Sequence, residues 1–235
     1  MPRAVFDLLA IVGVGVLLFA FICLLIGPVR RFWVVLIYIG WALMGTLGLT
    51  IADVLYRASD QRLRYAHLYW TNEVTLDVVL FLVIIVLTYK ATPEGPHRRK
   101  VARLLSGIAV AALVLPVLLF HPTFTPWPTL QWFNSAAEVL NFGAAVMNLG
   151  LWGALIASRG RDPQLLKVSA GLGVVVTGAA ISYGLRHFIP VEGILRPLPN
   201  LFIMIAQPIG WSILCWAFWP APRPRAVPHS ALSSP

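Results

Sequence analysis

Apolar residues come along this chain in long runs that short polar stretches separate. Each run is about twenty residues long, which a helix needs to cross a hydrocarbon core of roughly 30 Å. The pattern therefore predicts an all-α integral membrane protein, a seven-transmembrane helix bundle. The expected spans are 4–26, 32–55, 69–89, 101–120, 129–157, 165–187 and 200–219. We assign 1–219 to one membrane domain and expect a disordered, proline-rich tail over 220–235.

The fifth predicted span carries a polar stripe. Four polar side chains share one face of a 3.6-residue helix there, because they lie 4, 3 and 7 positions apart. They are Asn134, Glu138, Asn141 and Asn148. A carboxyl group and three amides are costly in lipid, so we expect this face to point into the bundle, with Phe142 and Val146 on the opposite face.

Basic residues set the predicted orientation. If the N-terminus lies outside, twelve of the 18 lysines and arginines fall on the cytoplasmic side and six on the outer side. Cytoplasmic loops of membrane proteins carry the excess of positive charge, so we predict N-out and C-in. The loop with Arg57, Arg62 and Arg64 is the main evidence for the reverse orientation.

In that orientation most of the remaining ionisable residues approach the bilayer from the outer side. Asp77 and Glu138 each lie about 12 Å into their spans at 1.5 Å per residue, so we expect them at a similar depth. Together these groups predict one polar cavity that opens outward. The candidates besides the fifth-span stripe are Asp53, Glu73, Asp77, Arg186, His187 and Gln207.

Two interpretations of these polar groups stay open. They form hydrogen bonds between helices and serve only packing, which is common in membrane bundles. Alternatively they form a ligand, ion or proton site, since ionisable residues inside a membrane are functional candidates by default. In the second case Asp77 and Glu138 would share a proton in a relay.

The composition excludes some classes of protein. The chain is 59% hydrophobic and 11% charged, whereas a soluble domain has about 25% charged residues. Its net charge of +9 does not indicate nucleic acid as a partner, because the basic residues sit beside membrane spans and act as topology signals. The partner that the composition predicts is the lipid bilayer.

No cofactor or metal is expected. Retinal needs a lysine in the last span for its Schiff base, and the predicted span 200–219 has none. Haem and zinc sites of membrane helices need several histidines within spans, and only His187 lies near one. No motif indicates a catalytic site.

The sixth span has a face of small side chains that suits a close helix contact. That contact could be made within the bundle, with a second copy or with a membrane partner. The face consists of Gly173, Thr177, Ala180 and Gly184.

Seven spans joined by short loops are similar in layout, though not in any motif, to the membrane sensory modules that bacteria attach to kinases. We therefore expect a sensor or binding module in the inner (plasma) membrane of a bacterium. A small proton- or ion-coupled carrier and an accessory subunit of a membrane complex are the alternatives.

Overall fold

A computed structural model describes residues 3–58, 62–95, 98–119, 130–157, 162–189 and 197–219. Within these ranges the protein is almost entirely helical, and its seven helices are long and apolar enough to cross a membrane. The predicted seven-helix membrane fold is confirmed. The helices are α1 (Arg3–Ile26), α2 (Trp33–Ala58), α3 (Arg62–Ala91), α4 (Arg98–Leu119), α5 (Leu130–Ala157), α6 (Pro163–Phe188) and α7 (Leu198–Phe218).

Most helices begin and end within three residues of the predicted spans, and α3 is the exception. It begins at Arg62, seven residues before the predicted start at Tyr69, so the predicted loop residues Arg64 and His67 are helical. Hydropathy ends a span where charged residues begin, but arginine and leucine are good helix formers and extend the helix beyond the apolar run. The predicted tail at 220–235 lies outside the described residues.

Six helices form a closed ring in the order α1, α2, α3, α5, α6 and α7, and α7 packs back on α1. Helix α4 lies outside this ring, against α3 and α5. Burial follows from these positions: 61% of the α6 span is buried inside the protein but only 11% of the α4 span. The small side chains of α6 suit its high burial, since they let neighbouring backbones approach closely in lipid.

Helices α6 and α7 make the closest contact of this kind. A β-carbon built on Gly178 would overlap the side chain of Ala206, and one built on Gly171 would lie 2.9 Å from the carbonyl oxygen of Gly210. Any larger side chain at these positions would push the two helices apart. The contact therefore fixes α7 against α6 over the two helical turns between Gly171 and Gly178.

One end of the bundle is tied together by polar contacts between loops. Asp162 caps α6 by accepting a hydrogen bond from the backbone N–H of Leu165, and Pro163 follows it in the first turn. The same carboxylate forms an ion pair with Arg31, whose carbonyl oxygen accepts a hydrogen bond from Lys90 Nζ at 2.6 Å. The α1–α2 connection thus links the end of α3 to the start of α6.

Candidate functional site

Two acidic side chains of α3 lie one turn apart inside the ring of helices. Glu73 accepts a hydrogen bond from the Tyr183 hydroxyl of α6, with 3.4 Å between the oxygens. Asp77 is the more deeply placed of the two, with only 7% of its surface exposed. Tyr38 of α2 is 2% exposed and lies within electrostatic reach of both carboxyl groups. The acidic pair is therefore enclosed by side chains from at least three helices.

Asn141 of α5 lies beside the Asp77 carboxyl group. It is 1% exposed, and its Nδ2 donates to the Ala137 carbonyl oxygen at 2.8 Å. In the opposite orientation the amide oxygen would face that carbonyl oxygen. Asn141 Oδ1 and Asp77 Oδ2 are both buried, and neither has a hydrogen-bond partner among the described residues.

Arg186, near the end of α6, lies at the edge of the same region. Its Nη1 donates to Asn134 Oδ1 of α5 at 3.0 Å, and its Nη2 donates to Asn200 Oδ1 of α7 at 3.2 Å. Its guanidinium carbon lies 4.7 Å from the centroid of the Tyr183 ring. One cation thus bridges three helices through neutral amides, at a position where it also acts electrostatically on Glu73.

The structure therefore brings together five of the residues that the sequence nominated, Glu73, Asp77, Asn134, Asn141 and Arg186. We call them, with Tyr183, the acid–arginine cluster. Glu138 lies between Asn134 and Asn141 along α5 and is half-buried. The α5 residue beside Asp77 is Asn141, one turn further into the bilayer than Glu138. The span of α3 is centred on Asp77, whereas Glu138 lies six residues, roughly 9 Å, from the centre of its span.

Other nominated residues lie elsewhere. Asn148 pairs with Ser169 of α6: Asn148 Nδ2 donates to the Ser169 carbonyl oxygen, and the Ser169 hydroxyl donates to Asn148 Oδ1, both at 3.2 Å. Gln207 lines a separate crevice of about 210 Å³ between α1, α2 and α7. Asp53 is half-buried near the end of α2. The side chain of His187 is outside the described residues.

Sequence reasoning missed the tyrosines and Asn200. Asn200 is the first residue of its predicted span, where a polar side chain is typical of the membrane interface. Tyr183 carried a usable signal, because it precedes Arg186 by three positions and so shares its helix face. Tyr38 carried none, since an isolated tyrosine in an apolar run has the pattern of ordinary packing.

The predicted small-residue face of α6 is for the most part used inside the bundle. Gly173 faces the Asn148 amide, a β-carbon on Gly184 would lie 3.6 Å from the Phe142 ring, and Ala180 is buried. Thr177 is exposed. The contact with α7 uses different residues, Gly171 and Gly178, which lie on the other side of the helix.

Chemically, the cluster offers carboxyl, amide, phenol and guanidinium groups in an apolar surrounding. Within the described ranges, no group of three or more His, Cys, Asp or Glu side chains could hold a metal ion. The arrangement suits the binding of a proton or of a hydrogen-bond donor by Asp77 and Asn141. A comparison of the chain with known protein families, curated proteins and solved structures gives no match.

Proposed function

We propose that this integral membrane protein is a sensor or binding module, and that it takes a proton or a small ligand at the acid–arginine cluster. The observation that carries the proposal is the pair of buried acceptors, Asp77 Oδ2 and Asn141 Oδ1, which lack partners among the described residues. Buried polar atoms are nearly always hydrogen-bonded, and each exception calls for an explanation.

A single donor next to these atoms would supply that explanation. Leaving a buried acceptor unsatisfied costs about 1–3 kcal/mol, so a proton or a donor-bearing ligand gains that much by satisfying it. Candidate donors are a proton on Asp77, or an ammonium or hydroxyl group of a ligand. The titratable groups within electrostatic reach of Asp77 are Glu73, Tyr38, Tyr69 and Tyr183, and a change of charge at Asp77 acts on all four.

The cluster is also well located to pass on a signal. Its hydrogen bonds connect α3 to α6 through Glu73 and Tyr183, and α6 to α5 and α7 through Arg186. Occupation of the site would change the bonds that hold four helices in one arrangement. A sensor needs such an element, whose equilibrium between two arrangements its ligand biases.

A small proton-coupled carrier is the second candidate. It is favoured by the placement of Glu73 and Asp77 one turn apart along α3, with Asp77 at the centre of its span. Acidic side chains in such a series are typical of proton relays in pumps and transporters. Proton flux into proteoliposomes containing the protein, measured with a pH-sensitive dye, would distinguish the carrier from the sensor.

We also propose that the N-terminus lies outside and that the cluster is nearer the outer surface. Twelve of the 18 basic residues then lie on the cytoplasmic side, among them the ion-paired Arg31 and the exposed Lys100. A bacterial inner membrane is the location that we infer from the similarity in layout to bacterial sensory modules.

The direct test of the site is infrared difference spectroscopy of the full chain between pH 5 and pH 9. Proton binding at the cluster predicts a pH-dependent carboxyl band that Asp77→Asn removes and the matched variant Asp53→Asn retains. The melting temperatures of the same two variants, compared with and without methylammonium, test for a ligand that donates a hydrogen bond. If Asp77→Asn leaves both responses unchanged, the cluster serves only to pack the helices and the proposal fails.

A further inference from the structure

A large groove lies on the side of the bundle where α5, α6 and α7 meet. It has a volume of about 750 Å³, within the range of about 300–1,000 Å³ that small-molecule sites occupy. Small residues of α6, including Ala170 and Gly173, form its floor, and bulky residues of the two neighbouring helices form its walls. We call it the α5–α7 groove.

The rim of the α5–α7 groove faces the bilayer. Leu149 of α5 is 68% exposed, and Ile205 and Ile209 of α7 are 43% and 49% exposed, all within membrane spans. Only two of the residues that line the groove are polar, Asn148 and Thr177. The Asn148 amide has its hydrogen bonds with Ser169 already. The groove therefore offers little to a polar ligand and much to a hydrocarbon chain.

A positive charge closes one end of the groove. Lys167 lies one turn before Ala170 on α6 and on the same face, and Trp216 continues the α7 wall in the same way beyond Ile213. Lys167 Nζ lies 3.9 Å from the centroid of the Trp216 ring. It forms no ion pair with any residue in the described ranges, so its charge is available to an anion.

We propose that the α5–α7 groove binds one acyl chain of an anionic phospholipid from the bilayer, with the headgroup phosphate at Lys167. From Ala170 to Ile181 the groove follows eleven residues of α6, which is roughly 16 Å at 1.5 Å per residue, and Lys167 lies one turn beyond it. That length exceeds half of the roughly 30 Å hydrocarbon core, so an extended chain fits along it. Lysine at the membrane surface attracts anionic lipids, and tryptophan is enriched at the membrane–water interface.

Native mass spectrometry of the full chain in detergent, with equal amounts of dioleoylphosphatidylglycerol and dioleoylphosphatidylcholine, tests the proposal. The wild type is expected to retain phosphatidylglycerol in preference. Lys167→Gln should reduce that preference about fivefold, the effect of one basic residue at an anionic surface. Thr177→Trp fills the floor at an exposed position and should reduce retention of both lipids.

Two matched variants control for charge and for bulk on the lipid-facing surface. Lys100→Gln removes an exposed lysine of α4, and Val110→Trp adds an indole to a position that is 60% exposed. Both should retain lipid like the wild type. Lys167→Gln leaves the packing of the groove intact, so the test remains valid if Thr177→Trp does not fold.

Three outcomes would overturn the proposal. An unchanged lipid preference in Lys167→Gln would remove the headgroup site. Unchanged retention in Thr177→Trp would mean that the lipids are bound elsewhere on the surface. A lipid-free homodimer that Thr177→Trp dissociates would mean that a second copy of the chain occupies the groove.

Discussion

Arg186 Nη1 of α6 and Asn134 Oδ1 of α5 are joined by a hydrogen bond of 3.0 Å at the edge of the acid–arginine cluster. The other arm of the guanidinium group binds Asn200 of α7 at 3.2 Å. A planar fork reaches two acceptors on different helices at once, which the single ammonium of lysine does less well. Arg186 therefore sets the spacing of α5 and α7 on either side of α6.

Arg186→Lys is expected to lower the free energy of unfolding by about 1–2 kcal/mol, because one of two charge-assisted hydrogen bonds is lost. Thermal unfolding in detergent measures the change. A double-mutant cycle with Asn134→Ala should give a coupling energy of at least about 0.5 kcal/mol. Strictly additive effects of the two substitutions would contradict a direct bond between them.

Asp77→Asn is expected to raise the free energy of unfolding by about 1 kcal/mol. It replaces a buried acceptor that has no described partner with a donor of the same shape, and it removes a like-charged neighbour of Glu73 one turn away. At functional sites, a substitution that removes the function commonly raises the stability of the protein. Asp53→Asn, at a half-buried position near the end of α2, should give no such gain.

The reverse result would be informative in its own right. If Asp77→Asn destabilised the protein, the Asp77 carboxyl group would have to hold a favourable partner in the membrane, such as a bound water or ligand. Unfolding measured at several pH values would then separate a loss of charge from a loss of packing.

Gly178→Leu is expected to destabilise the protein by about 1–3 kcal/mol, since its side chain would overlap Ala206 and separate α6 from α7. Gly173→Leu should act in the same direction by displacing the Asn148 amide. Gly150→Leu is the matched control, because no atom lies within 4 Å of a β-carbon built at that exposed position. Equal melting temperatures for Gly178→Leu and Gly150→Leu would show that the α6–α7 contact is loose.

In the proposed orientation, the new cysteine of a Ser233→Cys variant is shielded from a membrane-impermeant thiol reagent in intact cells. The new cysteine of a Leu63→Cys variant is labelled by it. Leu63 is 67% exposed at the opposite end of the bundle from Lys100. The native residues Cys23 and Cys215 are buried and give little background. Labelling of the Ser233→Cys variant from outside would show that the opposite orientation is correct.

The sequence by itself determined the helices and much of their burial. Twenty-residue apolar runs leave few alternatives to a membrane helix, because every backbone polar group in lipid must be bonded within the helix. The stripe on α5 was also readable: Asn141 and Asn148 are 1% and 6% exposed, whereas Val146 on the opposite face is 67% exposed. Periodicity within one helix is enough to separate an inner face from a lipid face.

Only the tertiary structure decided which polar residues meet. Asn141 rather than Glu138 lies beside Asp77, Gln207 lies in a separate crevice, and Arg186 binds amides of α5 and α7. These pairings depend on the order of the helices around the ring, on their rotation and on their relative depth. Hydropathy carries none of these, since lipid and protein interior are equally apolar and close packing, not burial from water, selects the neighbours.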